Sequence, residues 1–457
     1  LNAQLHPMVR HFFSLSPERI INRYCHLFPS VDRVKLEEML SYRCRYLRWA
    51  GVDLINVTPQ EGRKQMVVIE TNSCPSGQKS MPIGIDDTEE QAGYRKLVEN
   101  VFGPTIARNK EAVPAVIYDK NTMESHGYAC ALADFLRKPV HLVTYYDDTP
   151  TSEVRFTEQG YLEVCNNEGQ WITITHAIRY VTQRPWNRIP ISCKTQFMNP
   201  IIGCLAGGRN KLIAAKAYEL LNNELVGSGL KVRCPVTIND VTKMQIPLMI
   251  QSLGGFGVIK IPYSNAGQGV FTITSPGELE DFMAREDPYE QYIVQSLIGN
   301  SSWSSKSPDG QLYHVGTIPN KKNHIYVYDL RFMLGNRKDG FFPIAAYCRK
   351  ARQPLAEHIN ATESRDSWAM LGTNLSIKED GHNWGSDTKR LVLMDTKDFN
   401  GTGLSYDDLV DAYVQTLLAV VAIDKMAINL ISKQGKLRRK LFTSLNRDQT
   451  LLDEILP

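Results

Sequence analysis

Two apolar runs of β type, GVDLINV (51–57) and MVVIETN (66–72), are joined by the short polar stretch TPQEGRKQ, which carries one glycine. Runs of this kind with so brief a connection predict an antiparallel β-hairpin. The hairpin constrains the fold because it decides which side chains share a face. On its second strand Glu70 and Asn72 point one way and Thr71 the other, and Asp53 on the neighbouring strand can meet the first pair. Two carboxylates and an amide oxygen are hard donors of the kind that magnesium accepts, with water or phosphate oxygens completing its octahedron. The plain alternative is an acidic hairpin closed by the Pro–Gly loop SCPSG (73–77).

The chain has 457 residues, too many for one ordinary core, so two or three domains are expected. Residues 17–50 carry apolar positions at three-to-four spacing and read as helical, with Gly51 as the stop. From Pro114 the texture becomes strand–helix–strand: AVIYD (115–119), MESHGYACALADFLRK (123–138) and VHLVTYY (140–146). It continues through a hairpin at 161–175. This rhythm predicts a small parallel α/β domain. A last long helix is expected over roughly 405–433.

Hydrophobic content of 42% with 22% charged residues is that of a folded soluble protein, and a net charge of +3 gives no broad pull toward nucleic acid or membrane. The basic run KQGKLRRK (433–440) reads as a solvated helix end rather than a phosphate patch. No run of about twenty apolar residues stands out, so no membrane span is expected, and the first residues lack a signal peptide's apolar segment. Nine cysteines without a C-x-x-C pair suit a reducing compartment, so the expectation is a cytoplasmic enzyme.

A second group of motifs begins at VIKIPYSNAGQGV (258–270). Lys260 ends a β-run, and the 264–269 loop, with Ser264, Gly267, Gln268 and Gly269, precedes another β-run. Glycines let a backbone approach a polyphosphate and present N–H donors, while the lysine supplies a point charge. An ordinary hairpin would also satisfy this stretch, and no GK[ST] follows to make it a Walker loop. Lys211 stands upstream at a helix start. Downstream, the strand QYIVQSLIG (291–299) carries Gln295 and a bend at Leu297 whose backbone suits an adenine edge. Asp329 and Arg331 then alternate on one strand, Arg349 ends another, and Asn374 lies in LGTNLS (371–376).

This order of short motifs over 205–400 resembles the ATP-grasp superfamily. The family's closing E-x-N element is missing at the end of the chain and is similar instead to the early hairpin with Glu70 and Asn72. A circular permutation reconciles the two, a layout that resembles eukaryotic-type glutathione synthetases; relocated termini are tolerated when they lie at the surface. The fold implied is α/β (α+β), an ATP-grasp core with an inserted small parallel α/β domain. Its parts would be residues 1–104 (helices and permuted metal hairpin), 105–204 (substrate domain), 205–400 (nucleotide-binding subdomains) and 401–457 (C-terminal helical segment).

What the resemblance implies about chemistry is an ADP-forming carboxylate–amine ligase acting through an acyl phosphate, with ATP and Mg²⁺ as cofactors. Lys211 and Lys260 would hold phosphates under the 264–269 loop. Asp53, Glu70 and Asn72 would hold the metal, with Asp395 or Asp424 as substitutes for Asp53. Arg331 and Arg349 would stabilise the transferring phosphoryl group, and Asn374 would assist. The partners would be small acids and amines, an amino acid or short peptide by the family's habits, and a homodimer is the ordinary prior. The competing readings are a small-molecule kinase of the same fold and a regulatory ATP-binding protein. Arg184, Arg188, Lys79 and Ser80 suit either a substrate carboxylate or loop packing. His126, His141, His176, His314, His324 and His382 lack ligand spacing, and Cys74 lacks a histidine partner.

Overall fold

The computed structural model describes residues 3–60, 62–82, 92–265, 267–359, 366–378 and 384–456. Ala266 of the glycine loop and His382 lie outside them. The early hairpin forms: Trp49–Pro59 runs antiparallel to Gln65–Asn72, with Asp53 opposite Glu70 and Gly51 opposite Asn72. Along its other edge, Trp49–Pro59 pairs antiparallel with Tyr328–Arg337, placing Asp53 opposite Arg331. That strand in turn pairs with Gly340–Lys350, placing Asp329 opposite Arg349. The sheet therefore joins the early hairpin to the strand that carries Asp329 and Arg331.

A period of two puts all these polar residues on one face of the sheet. The other face is apolar: Val52, Leu54, Leu330 and Phe332 are fully buried in the main core. Thr71, pointing the same way, bonds Tyr218 Oη at 2.7 Å. Against this face lies the helix Tyr406–Leu430, opened by a capping box between Ser405 and Asp408. By length and composition this helix could cross a membrane, which corrects the expectation that no such segment exists. With 83% of its apolar window buried, it serves here as the core helix. It packs together with Val9, Phe12 and Leu36 of the first helices, so the segment after residue 400 is central rather than peripheral.

A second antiparallel sheet carries Lys260 and Gln295, in the order Thr237–Val241, Tyr292–Gln295, Gly257–Lys260, Val270–Ile273. The parallel sheet expected from the strand–helix–strand rhythm also forms. It is built of His141–Thr144, Pro114–Tyr118, His176–Tyr180 and Gln196–Met198, with a three-stranded antiparallel flap over 154–174.

The single helix read over 17–50 is two, Pro17–Leu27 and Arg33–Ser41, and Gly51 is not its stop but a strand residue. Asp424, on the long core helix, accepts the backbone N–H groups of Arg45, Tyr46 and Leu47 and the Tyr42 hydroxyl. Those four donors hold residues 42–47 out of helical geometry. Gly51 is required for close approach: a Cβ there would lie 2.6 Å from Cβ of Pro75 in the Pro–Gly loop.

Candidate active site

The polar face of the first sheet carries a closed charge network. Arg331 Nε and Nη2 donate to the two oxygens of Asp53 at 2.6 and 2.8 Å. Arg349 Nε donates to Asp329 at 2.9 Å, its Nη2 contacts the other Asp329 oxygen, and it also reaches Asp53 Oδ2 at 2.8 Å. All four side chains are buried. Burial by itself would raise the Asp53 carboxyl, but the two guanidinium groups hold it well below the usual carboxylate range. Asp329 is different: burial outweighs Arg349 there and pushes its carboxyl up.

Across the cleft stand the lysines. Lys211, at the start of the helix Lys211–Glu224, reaches Glu70 Oε1 at 3.1 Å and is steadied by the carbonyl and hydroxyl of Ser264 at 3.1 and 3.0 Å. Lys260 ends its strand with Nζ 3.4 Å from the carbonyl of Ile69. Burial pulls its pKa down to about 8, Lys211 adding to the effect and Glu70 opposing it. Glu70, Asn72, Asp53, Lys211 and Lys260 all line one cavity, together with Gly267, Asn374, Arg331 and Arg349. Gly267 and Gly269 adopt φ of +74° and +76°, which glycine tolerates without penalty. A Cβ on Gly267 would sit 3.2 Å from Cβ of Asn374, so the glycine loop closes directly onto that residue.

Other predicted residues are placed differently. Leu297 lines the cavity, but its N–H donates to Ser305 Oγ and its carbonyl accepts from Ser304 Oγ and the Ser305 N–H. With both lone pairs and the proton engaged, its backbone offers nothing to an adenine edge. Gln295 lines the cavity with its amide held by Thr237 Oγ1 at 2.8 Å. Gln268 is exposed and outside the cavity lining. Asp53 presents its oxygens to arginines, so a dication there would meet two guanidinium charges. Asp395 caps a turn through the N–H groups of Lys397 and Asp398, and Asp424 pins residues 42–47 as described. Neither reaches the cavity. Arg188 is held by Asp119 at 2.6 Å and Arg184 by Tyr289 and Glu454, so both belong to packing.

The loop after the hairpin forms another wall. Glu124, fully buried on the inserted domain's helix, accepts the N–H groups of Gly77 and Gln78 at 3.1 and 2.9 Å. Tyr347 Oη donates to the Ser76 carbonyl at 2.9 Å. Ser76, Gly77, Lys79 and Ser80 line the cavity as a result. Lys120 and Arg209, which also line the cavity, were given no role in the sequence reading, and His314, read there as lacking ligand spacing, lines it too. Burial lowers the His314 pKa to about 4, so it faces the cleft as a neutral ring. Arg209 stood in the same GGRNK run as Lys211, the one local signal that could have found it. Among the described lining residues seven cations (Lys79, Lys120, Arg209, Lys211, Lys260, Arg331, Arg349) face three carboxylates (Asp53, Glu70, Asp329). The cleft is built for anions.

No protein-family model and no curated protein matches the chain. Solved structures do. One is a glutathione synthetase-like effector from Globodera pallida in apo form, 10% identical, covering 73% of this chain and 82% of that one at a TM-score of 0.40. A RimK-domain ATP-grasp protein from Sphaerobacter thermophilus is 14% identical over 51% of this chain and 90% of its own, at 0.30. D-Alanine–D-alanine ligase from Bacillus anthracis is 12% identical over 67% and 97%, at 0.27. These likenesses place the chain in no family. With scores this low they assign no role to any residue, and the reading of the site rests on its own geometry.

Magnesium finds a partial fit. Among the described residues no cluster of three or more His, Cys, Asp or Glu side chains is arranged to hold a metal. Glu70 and Asn72 nevertheless share the cavity with the lysines. Asn72 turns its amide nitrogen toward Asp53 Oδ2 at 3.4 Å, which leaves its oxygen for another partner. One carboxylate and one amide oxygen suit an ion whose other ligands are phosphate oxygens and water.

Proposed function

We propose that this chain is an ATP-dependent carboxylate–amine ligase. The γ-phosphoryl group of ATP passes to a carboxylate oxygen, giving an acyl phosphate and ADP. An amine then attacks the acyl carbon, forming an amide and expelling phosphate, with one amine proton released. The observation that carries this reading is the 3.1 Å pairing of Glu70 with Lys211 beside Lys260, in a cavity that Arg331 and Arg349 also line.

Phosphoryl transfer of this type is mostly positioning and charge neutralisation. Lys211 and Lys260 bind the phosphates, with Ser264 holding Lys211 in place and the glycine loop closing over them toward Asn374. Arg331 and Arg349 face the developing charge, and their carboxylate partners fix the two guanidinium planes. Glu70 and Asn72 would hold magnesium, which would neutralise phosphate charge. Asp53 acts through the arginines it orients.

The test is ADP release with pairs of small acids and amines, the amide product being identified by mass spectrometry. Lys260→Ala and Glu70→Ala should nearly abolish turnover with an unchanged circular dichroism spectrum; wild-type rates in either would remove the reading. ADP release that needs no amine and leaves the phosphoryl on the acceptor would identify a kinase, and nucleotide binding without ADP release a regulatory protein.

A further inference from the structure

Arg179 is fully buried on the strand His176–Tyr180 of the inserted sheet, and among the described residues no carboxylate touches it. Its Nε donates to the Asn199 carbonyl at 3.0 Å and its Nη1 to the Val181 carbonyl at 3.3 Å. Its Nη2 donates to Cys204 Sγ at 3.1 Å. A guanidinium group keeps its proton inside a protein, so a full positive charge lies in the interior against two neutral carbonyls and one sulfur. A buried charge of this kind needs an opposite one.

Three groups that bear on this charge can ionise: Cys204, Cys74 and Tyr263. Cys74 Sγ donates to the Arg179 carbonyl at 3.1 Å, which uses its proton, and burial pushes its thiol up to about 11. Burial also pushes the Tyr263 hydroxyl up. Cys204 is the exception. Burial alone would raise its thiol, but the guanidinium groups of Arg179 and Arg209 outweigh that and pull it below the ordinary value. Ser73 Oγ stands 3.0 Å from the same sulfur. A thiol has one hydrogen to share and no charge to offer Arg179, whereas a thiolate accepts from both neighbours.

This sulfur stands where three units meet. Ser73 follows Asn72 at the end of the hairpin, and its N–H donates to the Gly208 carbonyl at 2.9 Å. Cys204 opens the turn 204–208, and its carbonyl accepts the N–H groups of Arg209 and Asn210 at 3.2 and 3.1 Å. Asn210 then caps the helix that begins with Lys211. The packing is tight, since a Cβ on Gly208 would lie 2.5 Å from Ser73 Cβ. The junction fixes how Glu70 and Asn72 on the hairpin stand to Lys211 on the helix.

We propose that Cys204 is a thiolate in the folded protein and the counter-ion of Arg179, a positioning residue that ties the hairpin end and the Lys211 turn to the inserted sheet. The ion pair is independent of the ligase reading; only its consequence for ATP rests on that reading.

The thiolate is read by its ultraviolet absorbance, in the folded wild type and in the chain unfolded at the same neutral pH. The folded protein should show about one thiolate, and the unfolded chain, with nine ordinary thiols, much less. Cys204→Ser should lose the band and Cys74→Ser keep it. A wild type without the band, or a band that disappears with Cys74, overturns the proposal. Cys204→Ser strands the guanidinium and should lower the thermal midpoint by about 5 °C or more; Cys204→Asp, which restores an anion, should recover part of the loss. An Asp variant that melts no higher than the Ser variant overturns the ion pair. If neither variant folds, the wild-type and Cys74→Ser spectra decide it. Calorimetry should show ATP binding weakened by about 10-fold in Cys204→Ser, and an unchanged affinity overturns the positioning role. If the wild type binds no ATP, the ligase reading fails, and the absorbance still judges the ion pair.

Discussion

Asp53 and Arg331 face each other across adjacent antiparallel strands with a two-point contact of 2.6 and 2.8 Å, although 278 positions separate them in the chain. This contact ties the early hairpin to the core sheet and sets the arginine that borders the cleft. Glu70 stands opposite Asp53 on the other side, so one carboxylate orders the arginine wall and its neighbour faces the lysines.

Replacing Asp53 by Asn leaves two buried guanidinium groups sharing one carboxylate. A loss of about 3–5 kcal/mol in unfolding free energy is expected, measured by denaturant titration. The carboxyl is held below its ordinary value of 3.8, so its contribution is complete above that pH. It is lost as the pH falls from there toward the lowered value. A wild-type midpoint in the Asn variant would show that the network is not what holds the hairpin.

Glu70 and Asp424 separate function from architecture. Glu70→Gln should leave the unfolding midpoint within experimental error and suppress turnover. Asp424→Asn loses charge at a cap serving four donors, so it should lower stability by about 2–4 kcal/mol. Thermal melts read beside ADP release distinguish the two; a stable, inactive Asp424→Asn would return that residue to the list of metal ligands.

Lys260 gives a pH signature. Its pKa of about 8 in the free protein means that it loses charge as the pH rises through that value. A bound triphosphate favours the charged form, so ATP binding should take up protons near pH 8, and affinity should weaken above it. Calorimetry in buffers of differing ionisation enthalpy measures the uptake, and Lys260→Arg, which does not titrate, should remove it.

Gly77 has φ of +108°, and a Cβ there would lie 2.3 Å from the Tyr347 ring. Gly77→Ala should therefore displace Tyr347 and its bond to Ser76. The change should destabilise the protein by about 1–3 kcal/mol and reduce turnover more than ATP binding, as judged by calorimetry beside steady-state kinetics. Unaltered kinetics would mean that this wall of the cleft does not position substrate.

The order of motifs was legible because each rests on a local rule. Alternation put Glu70 and Asn72 on one face, the glycines of 264–269 announced a close backbone approach, and the strand–helix–strand rhythm announced the parallel sheet. The missteps were cases where distant atoms intervene. Leu297 lost its role because the Ser304 and Ser305 side of a later loop already occupies its backbone. Asp53 was assigned to metal because the arginines that engage it could not be placed without the register.

The amino-acid sequence alone determined the hairpin, the glycine loop, the inserted sheet and the residue types of the cleft, since these follow from periodicity and backbone freedom over a few residues. Only the tertiary structure decided which charges pair and which remain available to a ligand. Strand register and burial bring residues hundreds of positions apart within 3 Å, and at that range the nearest opposite charge decides what a carboxylate or an arginine can do.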